Sequence, residues 1–303
     1  MKVVQVIGYH QNLSLAEAPE PKATSALDVI VKIGAAGVCR TDIHILEGQW
    51  ADKSQVKLPY TIGHENAGWV HAIGDGVTNV KVGDKVILHP LVTCGLCTAC
   101  RFGDDVHCES STFPGINVDG GYAEYLRTTA RSVIKLDDNL EPVDVAALAD
   151  AGLTAWKLLC YDWGWRAGTY CISGATLVVI DRNADALTLV KKLGADHGAE
   201  AVIDFVAEGG STATGVKMLR QAGNYFVVGY GENLNIPTID IISTEISFVG
   251  NLVGSYNDLA ELMVLAAQGK VVLHTTKYKL VDFQKAIDDL SAGKVRGRAI
   301  LVP

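Results

Sequence analysis

Cys94, Cys97, Cys100 and Cys108 form the pattern C-x2-C-x2-C-x7-C in a polar stretch, and this pattern restricts the fold more tightly than any other feature of the chain. Gly95 and Gly103 stand where tight turns let four thiolates converge on one tetrahedral centre. A closed shell of four thiolates is the structural form of a zinc site. The rival is an iron–sulfur cluster, but the bacterial ferredoxin run has a shorter final gap and a proline after its last cysteine. Here Glu109 follows Cys108. Four free buried thiols would leave the regular spacing to accident. The total of seven cysteines is odd, and their clustering points to metal in a reducing compartment instead of a disulfide framework.

The rest of the chain is long enough to build around such a loop. Its 303 residues, 49% hydrophobic and 20% charged, suffice for a large core and suggest two domains. With 34 acidic against 26 basic residues, the net charge of -8 lacks the basic excess that phosphate-backbone binding requires, so nucleic acid is not an expected partner. The apolar start, Met1 to Ile7, is too short for a signal segment, and no later apolar run approaches a membrane span. The expectation is a soluble cytoplasmic protein that does not engage a membrane.

Short apolar runs punctuated by glycine fill the first part of the chain: Val3 to Ile7, Val29 to Ile33, Gly68 to Ile73, Lys85 to His89 and Tyr122 to Leu126. They predict an irregular all-β barrel. From Asp181 onward, predicted helices (Ala184 to Leu193, Ser211 to Gln221, Asn257 to Gln268) alternate with strands (Ala201 to Val206, Asn224 to Gly229, Ile246 to Leu252). Such alternation predicts a parallel sheet with crossover helices, and the expected fold class is α/β plus β. The helix Asp282 to Ala292 and the strand that closes the chain at Pro303 read as rejoining the first domain. The expected division is therefore 1–155 with 277–303, and 156–276.

Two further segments, Cys39-Arg40-Thr41-Asp42-Ile43-His44 and Gly63-His64-Glu65-Asn66-Ala67-Gly68, place a thiol, an imidazole and several carboxylates after apolar strands. Alone, either is weak; an isolated histidine is more often a hydrogen-bonded core residue than a ligand. Together they form Gly63-His64-Glu65-x2-Gly68-x5-Gly74-x2-Val77, preceded by Cys39 and followed by the cysteine knuckle. That combination resembles the zinc-dependent medium-chain alcohol dehydrogenases, from Val3 to Pro303 apart from two gaps. The resemblance implies a GroES-like irregular β-barrel catalytic domain, a shortened Rossmann-like nucleotide-binding domain, and two zinc ions per chain. It assigns the structural zinc to the knuckle and a catalytic zinc to Cys39, His64 and Asp150, with the aspartate looking like the secondary-alcohol branch. Three protein ligands leave a fourth position for water or alcohol. By the same resemblance Thr41 would accept the alcohol proton and pass it through the cofactor ribose to His44, while Asp42 and Glu65 orient the ligands. Trp50 is a candidate wall of the alcohol pocket, or a core or rim aromatic.

Zinc has no redox chemistry of its own, so a hydride acceptor is required. Leu177 to Ile180 is an apolar strand ending in Asp181, whose carboxylate in a dinucleotide fold would bond the adenosine ribose and favour NAD over NADP. Arg182 beside it leaves rejection of a 2′-phosphate open. The resemblance places Arg40 and Arg298 at the pyrophosphate, Thr154 and Val228 at the nicotinamide, and Leu252 at its edge. Between Thr154 and Asp181, however, no G-x-G-x-x-G occurs. Only Gly174, Ala175 and Thr176 separate Tyr170–Ser173 from Leu177–Ile180, whereas a parallel crossover needs about a dozen residues. A second gap falls in Leu193 to Asp204, where a helix runs almost directly into the next strand. A deletion, an altered reading frame or deliberate miniaturisation would each leave this pattern. Losing the glycine turn removes two or three hydrogen bonds of roughly 1.5 to 3 kcal/mol each from a site that at micromolar affinity holds about 8 kcal/mol.

Two expectations follow. The first is an NAD-dependent zinc enzyme that moves hydride between a secondary alcohol and its ketone. The second is a zinc-binding, catalytically weak or inactive relative that has lost the phosphate loop. A zinc-free quinone reductase of the same superfamily is disfavoured because the metal ligands are complete. Association as a homo-oligomer, dimer or tetramer, is expected through Ile246 to Gly254.

Overall fold

Asp28–Val38 is buried at every position but Lys32, with β-branched residues in its first half and small ones in its second. A strand covered on both faces belongs at the centre of a sheet. The computed structural model describes residues 1–161 and 198–303 and places this strand at the heart of the first of two compact units, Met1–Lys157 with Val253–Pro303; the second is Leu158–Leu252. The expected strand Leu177 to Ile180, Asp181, Arg182 and the expected helix Ala184 to Leu193 lie outside the described residues.

In chain order the strands of the first unit are β1 (Lys2–Val6), β2 (Ser14–Glu17), β3 (Asp28–Val38), β4 (Tyr60–Thr61), β5 (Glu65–Ile73), β6 (Lys85–Leu88), β7 (Tyr125–Thr129), β8 (Val133–Lys135), β12 (Thr275–Lys279) and β13 (Arg298–Val302). They form one sheet in the order β12-β13-β3-β5-β6-β8 and a smaller one in the order β2-β1-β4. β5 runs along one edge of β3, while β7 and β13 share the other, β7 on Asp28 to Lys32 and β13 on Ala36 to Val38. The β-rich reading of this half therefore holds, but the sheets are open and mixed and close no barrel among the described residues, because the end strands β12 and β8 do not pair. The last strand, β13, pairs with β3 within the first unit.

The helix Tyr256–Ala267 was expected within the second domain, yet it belongs to the first unit. Its stripe of Leu259, Leu262, Met263 and Ala266 recurs at helical spacing and is buried in one core with Ala146 to Ala149 and Leu153. The unit boundary accordingly falls between Leu252 and Val253, not at 276.

The second unit contains β9 (Ala199–Asp204), β10 (Leu219–Val227) and β11 (Ser247–Gly250), all parallel, in the order β11-β10-β9. Register sets Asp204, Val227 and Gly250 side by side at the carboxyl edge. The helix expected over Ser211 to Gln221 stops at Val216. Ser-Thr-Ala-Thr-Gly-Val is a weak helix former, and Leu219 is taken instead into the sheet opposite Ala199. Asp204 organises this end: its carboxylate accepts hydrogen bonds from the Val206 and Ala207 amides at 2.8 and 2.9 Å and from the hydroxyls of Ser211 and Tyr225 at 2.9 and 2.5 Å. Among the described residues no helix is long and apolar enough to cross a membrane.

Candidate functional site

The knuckle is built by local turns. Gly95 and Gly103 take positive φ of 73° and 79°, which a side chain resists, and the short helix Thr98–Phe102 lies between them. A 3-10 turn at Asp105–His107 then delivers Cys108. All four sulfurs lie within 4.8 Å of one another, and Cys94 Sγ is 4.0 Å from Cys100 Sγ. Four thiolates around one zinc at about 2.3 Å stand about 3.8 Å apart. Backbone amides of Leu96 and Cys97 donate to Cys94 Sγ, each at 3.4 Å, and draw its pKa down to about 6. Burial pushes Cys100 up to about 12. A buried thiol packed against easily formed thiolates fits a centre completed by a cation.

The second cluster is assembled from distant segments. Cys39 caps the helix Arg40–Leu46 where β3 ends; its Sγ accepts from the Thr41 amide at 3.1 Å, while its own amide donates to Asp42 Oδ2 at 2.9 Å. His64 follows Gly63, whose φ of 103° turns the chain between β4 and β5. Asp150 ends the 3-10 turn Ala146–Ala149 and enters the helix Ala151–Tyr161. His64 Nε2 lies 3.2 Å from Cys39 Sγ and 3.2 Å from Asp150 Oδ2. Asp42 Oδ1 faces His64 Nδ1 at 3.6 Å, and the Thr154 hydroxyl donates to Asp150 Oδ1 at 3.0 Å. Behind them Glu65, fully buried, accepts from the Ala151 amide at 3.2 Å and is clasped by both Nε and Nη2 of Arg298. Burial lifts the Glu65 carboxyl above its usual range although the guanidinium opposes it. Phe113 stands edge-on to the His64 ring, with centroids 5.9 Å apart.

These donors fit zinc. Around a tetrahedral zinc, ligand sulfur, nitrogen and oxygen atoms stand about 3.3 to 3.6 Å from one another, close to the separations here. Burial disfavours a charged imidazole, yet Cys39, Asp42 and Asp150 raise the His64 pKa well above its ordinary value. So many acidic groups around one buried imidazole call for a cation, and cysteine, histidine and aspartate leave one position of a tetrahedron open.

Residues 25–138 match the family model of the alcohol dehydrogenase GroES-like domain, and residues 173–268 match that of the zinc-binding dehydrogenases. An alcohol dehydrogenase of Geobacillus stearothermophilus is 34% identical, with 99% of each chain covered. The chain belongs to the zinc-dependent medium-chain alcohol dehydrogenase family. An NAD-dependent alcohol dehydrogenase of Saccharolobus solfataricus is 33% identical over all of both chains. The crystal structure of the alcohol dehydrogenase from the archaeon Aeropyrum pernix superposes with a TM-score of 0.91 at 38% identity, covering both chains completely. The Geobacillus alignment runs over 337 positions while this chain has 303 residues, so at least 34 positions face a gap in it.

Cys39, His64 and Asp150 are thus brought together, with Asp42 and Glu65 beside them. Thr41 and His44 sit three apart on one helix, Thr41 half-buried and His44 buried. Trp50 is half-buried against the core of the first unit. Of the residues expected at the dinucleotide, Arg40 is exposed, Arg298 is held by Glu65, and the Thr154 hydroxyl is spent on Asp150. Val228 and Leu252 belong to the second unit, where the Val228 amide bonds the Asp204 carbonyl at 3.0 Å. Phe113 and Tyr122 were missed by sequence reasoning. Gly120-Gly121 directly before Tyr122 was a signal of close backbone approach.

Proposed function

We propose that the chain is a zinc-dependent oxidoreductase that interconverts an alcohol, with secondary alcohols the preferred class, and the matching carbonyl compound, using NAD as hydride partner. The convergence of Cys39 Sγ, His64 Nε2 and Asp150 Oδ2 on one point carries this reading. What zinc supplies when bound there is Lewis acidity toward an alcohol or ketone oxygen. Asp42, facing His64 Nδ1, keeps the proton on that nitrogen and leaves Nε2 as the ligand atom. The Thr154 hydroxyl fixes one oxygen of Asp150 and leaves the other aimed at His64. The Thr41 hydroxyl would accept the alcohol proton while giving up its own toward the cofactor ribose, with His44, one helical turn on, the group that finally holds it. Glu65 and Arg298 tie β5 to β13 beside the ligands.

For NAD the support is the similarity to the NAD-dependent alcohol dehydrogenase of Saccharolobus solfataricus and the parallel sheet of the second unit, whose aligned carboxyl ends are where such sheets bind nucleotides. The sequence offers no glycine fingerprint for the pyrophosphate. That absence favours one second reading, a zinc-binding relative with weak or no turnover. Calorimetric titration of the zinc-loaded protein with NADH separates the two. Micromolar binding accompanied by oxidation of secondary alcohols is expected. Silence at millimolar cofactor would replace the enzyme reading with the second one.

A further inference from the structure

We infer that Tyr122 is a positioning residue for the three-ligand centre, setting Cys39 and His64 against each other through Asp42 and the backbone on either side. The inference rests on the zinc reading of that centre.

Tyr122 is fully buried, and its segment is laid along the chain that leads to His64. The Gly120, Gly121 and Tyr122 amides donate in turn to the carbonyls of Thr61, Gly63 and Ile62 at 2.8, 2.8 and 2.9 Å. The aromatic ring presses on Gly63, the residue before His64, so closely that a Cβ there would fall 2.2 Å from a ring carbon. At its far end the phenol reaches the Cys39 side of the site. Its oxygen is 2.8 Å from Asp42 Oδ2 and 3.1 Å from the carbonyl of Gly37, two residues before Cys39. One side chain therefore spans both ligand-bearing segments.

The hydroxyl has a single proton, and the shorter, charge-assisted contact to the carboxylate is the one that takes it. Asp42 Oδ2 then holds two donors, the phenol and the Cys39 amide. This fixes the plane of the carboxylate and leaves Oδ1 facing His64 Nδ1; among the described residues neither of those two atoms has a hydrogen-bond partner. Without the phenol, Oδ2 keeps only the Cys39 amide, and the carboxylate is free to swing away from the imidazole. Groups of this kind, which orient a ligand without touching the metal, govern affinity and ligand geometry.

The experiment compares wild type, Tyr122→Phe, Asp42→Asn and the double variant. Each metal-free protein is titrated with Zn2+ against a chromophoric chelator, and visible spectra of the Co2+ forms are recorded, with Cys39→Ser marking which metal belongs to which site. Wild type is expected to hold two metals. In Tyr122→Phe the three-ligand centre should weaken by about tenfold with a shifted cobalt spectrum, while the knuckle keeps its affinity. In the Asp42→Asn background the same change should cost nothing more. Equal weakening of both sites, an unaltered three-ligand centre, or additive losses in the double variant would each overturn the role of Tyr122. A wild-type protein that binds metal only at the knuckle would instead remove the zinc reading itself, and the inference with it.

Discussion

The knuckle and the three-ligand centre use overlapping chemistry but come from opposite ends of the folding problem. Four ligands of the first stand between residues 94 and 108, and turns at Gly95 and Gly103 suffice to gather them. The second draws Cys39 from the end of β3, His64 from the turn into β5 and Asp150 from a 3-10 turn, so the buried sheet must form before the donors meet. The difference teaches where each metal's free energy goes. Closing a short loop around a metal turns binding energy into local folding energy. A site prearranged by a core needs little metal energy to fold and can leave one coordination position for a substrate.

The largest expected effect tests the open site. Cys39→Ser or Asp150→Asn should lower turnover by on the order of a thousandfold, the scale of removing a principal electrostatic catalyst. Zinc content should fall from two per chain to one, with little change in thermal stability. Turnover surviving in either variant would end the assignment.

Cys100→Ser puts the opposite question to the knuckle. It should empty that site and lower Tm by about 10 °C, the shift that follows from losing a few kcal/mol in a chain of this size. The remaining zinc should stay at Cys39, His64 and Asp150. If both sites empty together, the contrast between local and core-built geometry is wrong.

A smaller effect separates the strand that delivers Cys39 from the ligands themselves. Burial raises the Asp28 carboxyl at the start of β3, but hydrogen bonds from the Thr24 amide and hydroxyl and the Ser25 amide outweigh it and hold the group below its usual range. A depressed folded pKa adds stability that is complete above the unfolded value of about 3.9 and is lost as pH falls through the folded one. Asp28→Asn should therefore cost about 1 kcal/mol at neutral pH and flatten the acid limb of the stability curve below about pH 4, with both zincs retained. Chemical denaturation across that range checks it, and an acid limb as steep as in wild type would contradict it.

Legibility in the sequence followed the same division. The knuckle could be read in full because its spacing is its geometry. Cys39, His64 and Asp150 could be named only by resemblance, since nothing in their spacing brings them together. The helix Tyr256–Ala267 was visible as an amphipathic stripe, but the stripe does not say which core it faces, and it was allotted to the wrong unit. Ser211–Val216 was overextended because local pattern could not foresee the pairing of Leu219 with Ala199.

The sequence by itself determined the four-cysteine centre, the β-rich first half, the parallel strands of the second and the loss of the glycine fingerprint, all of which depend on residues close in the chain. Only the tertiary structure decided that Asp42 faces His64, that Glu65 is clasped by Arg298 and that the Tyr122 phenol bridges the two ligand segments. These contacts join residues as much as 233 positions apart, and their partners are chosen by strand register and core packing, which no local spacing encodes.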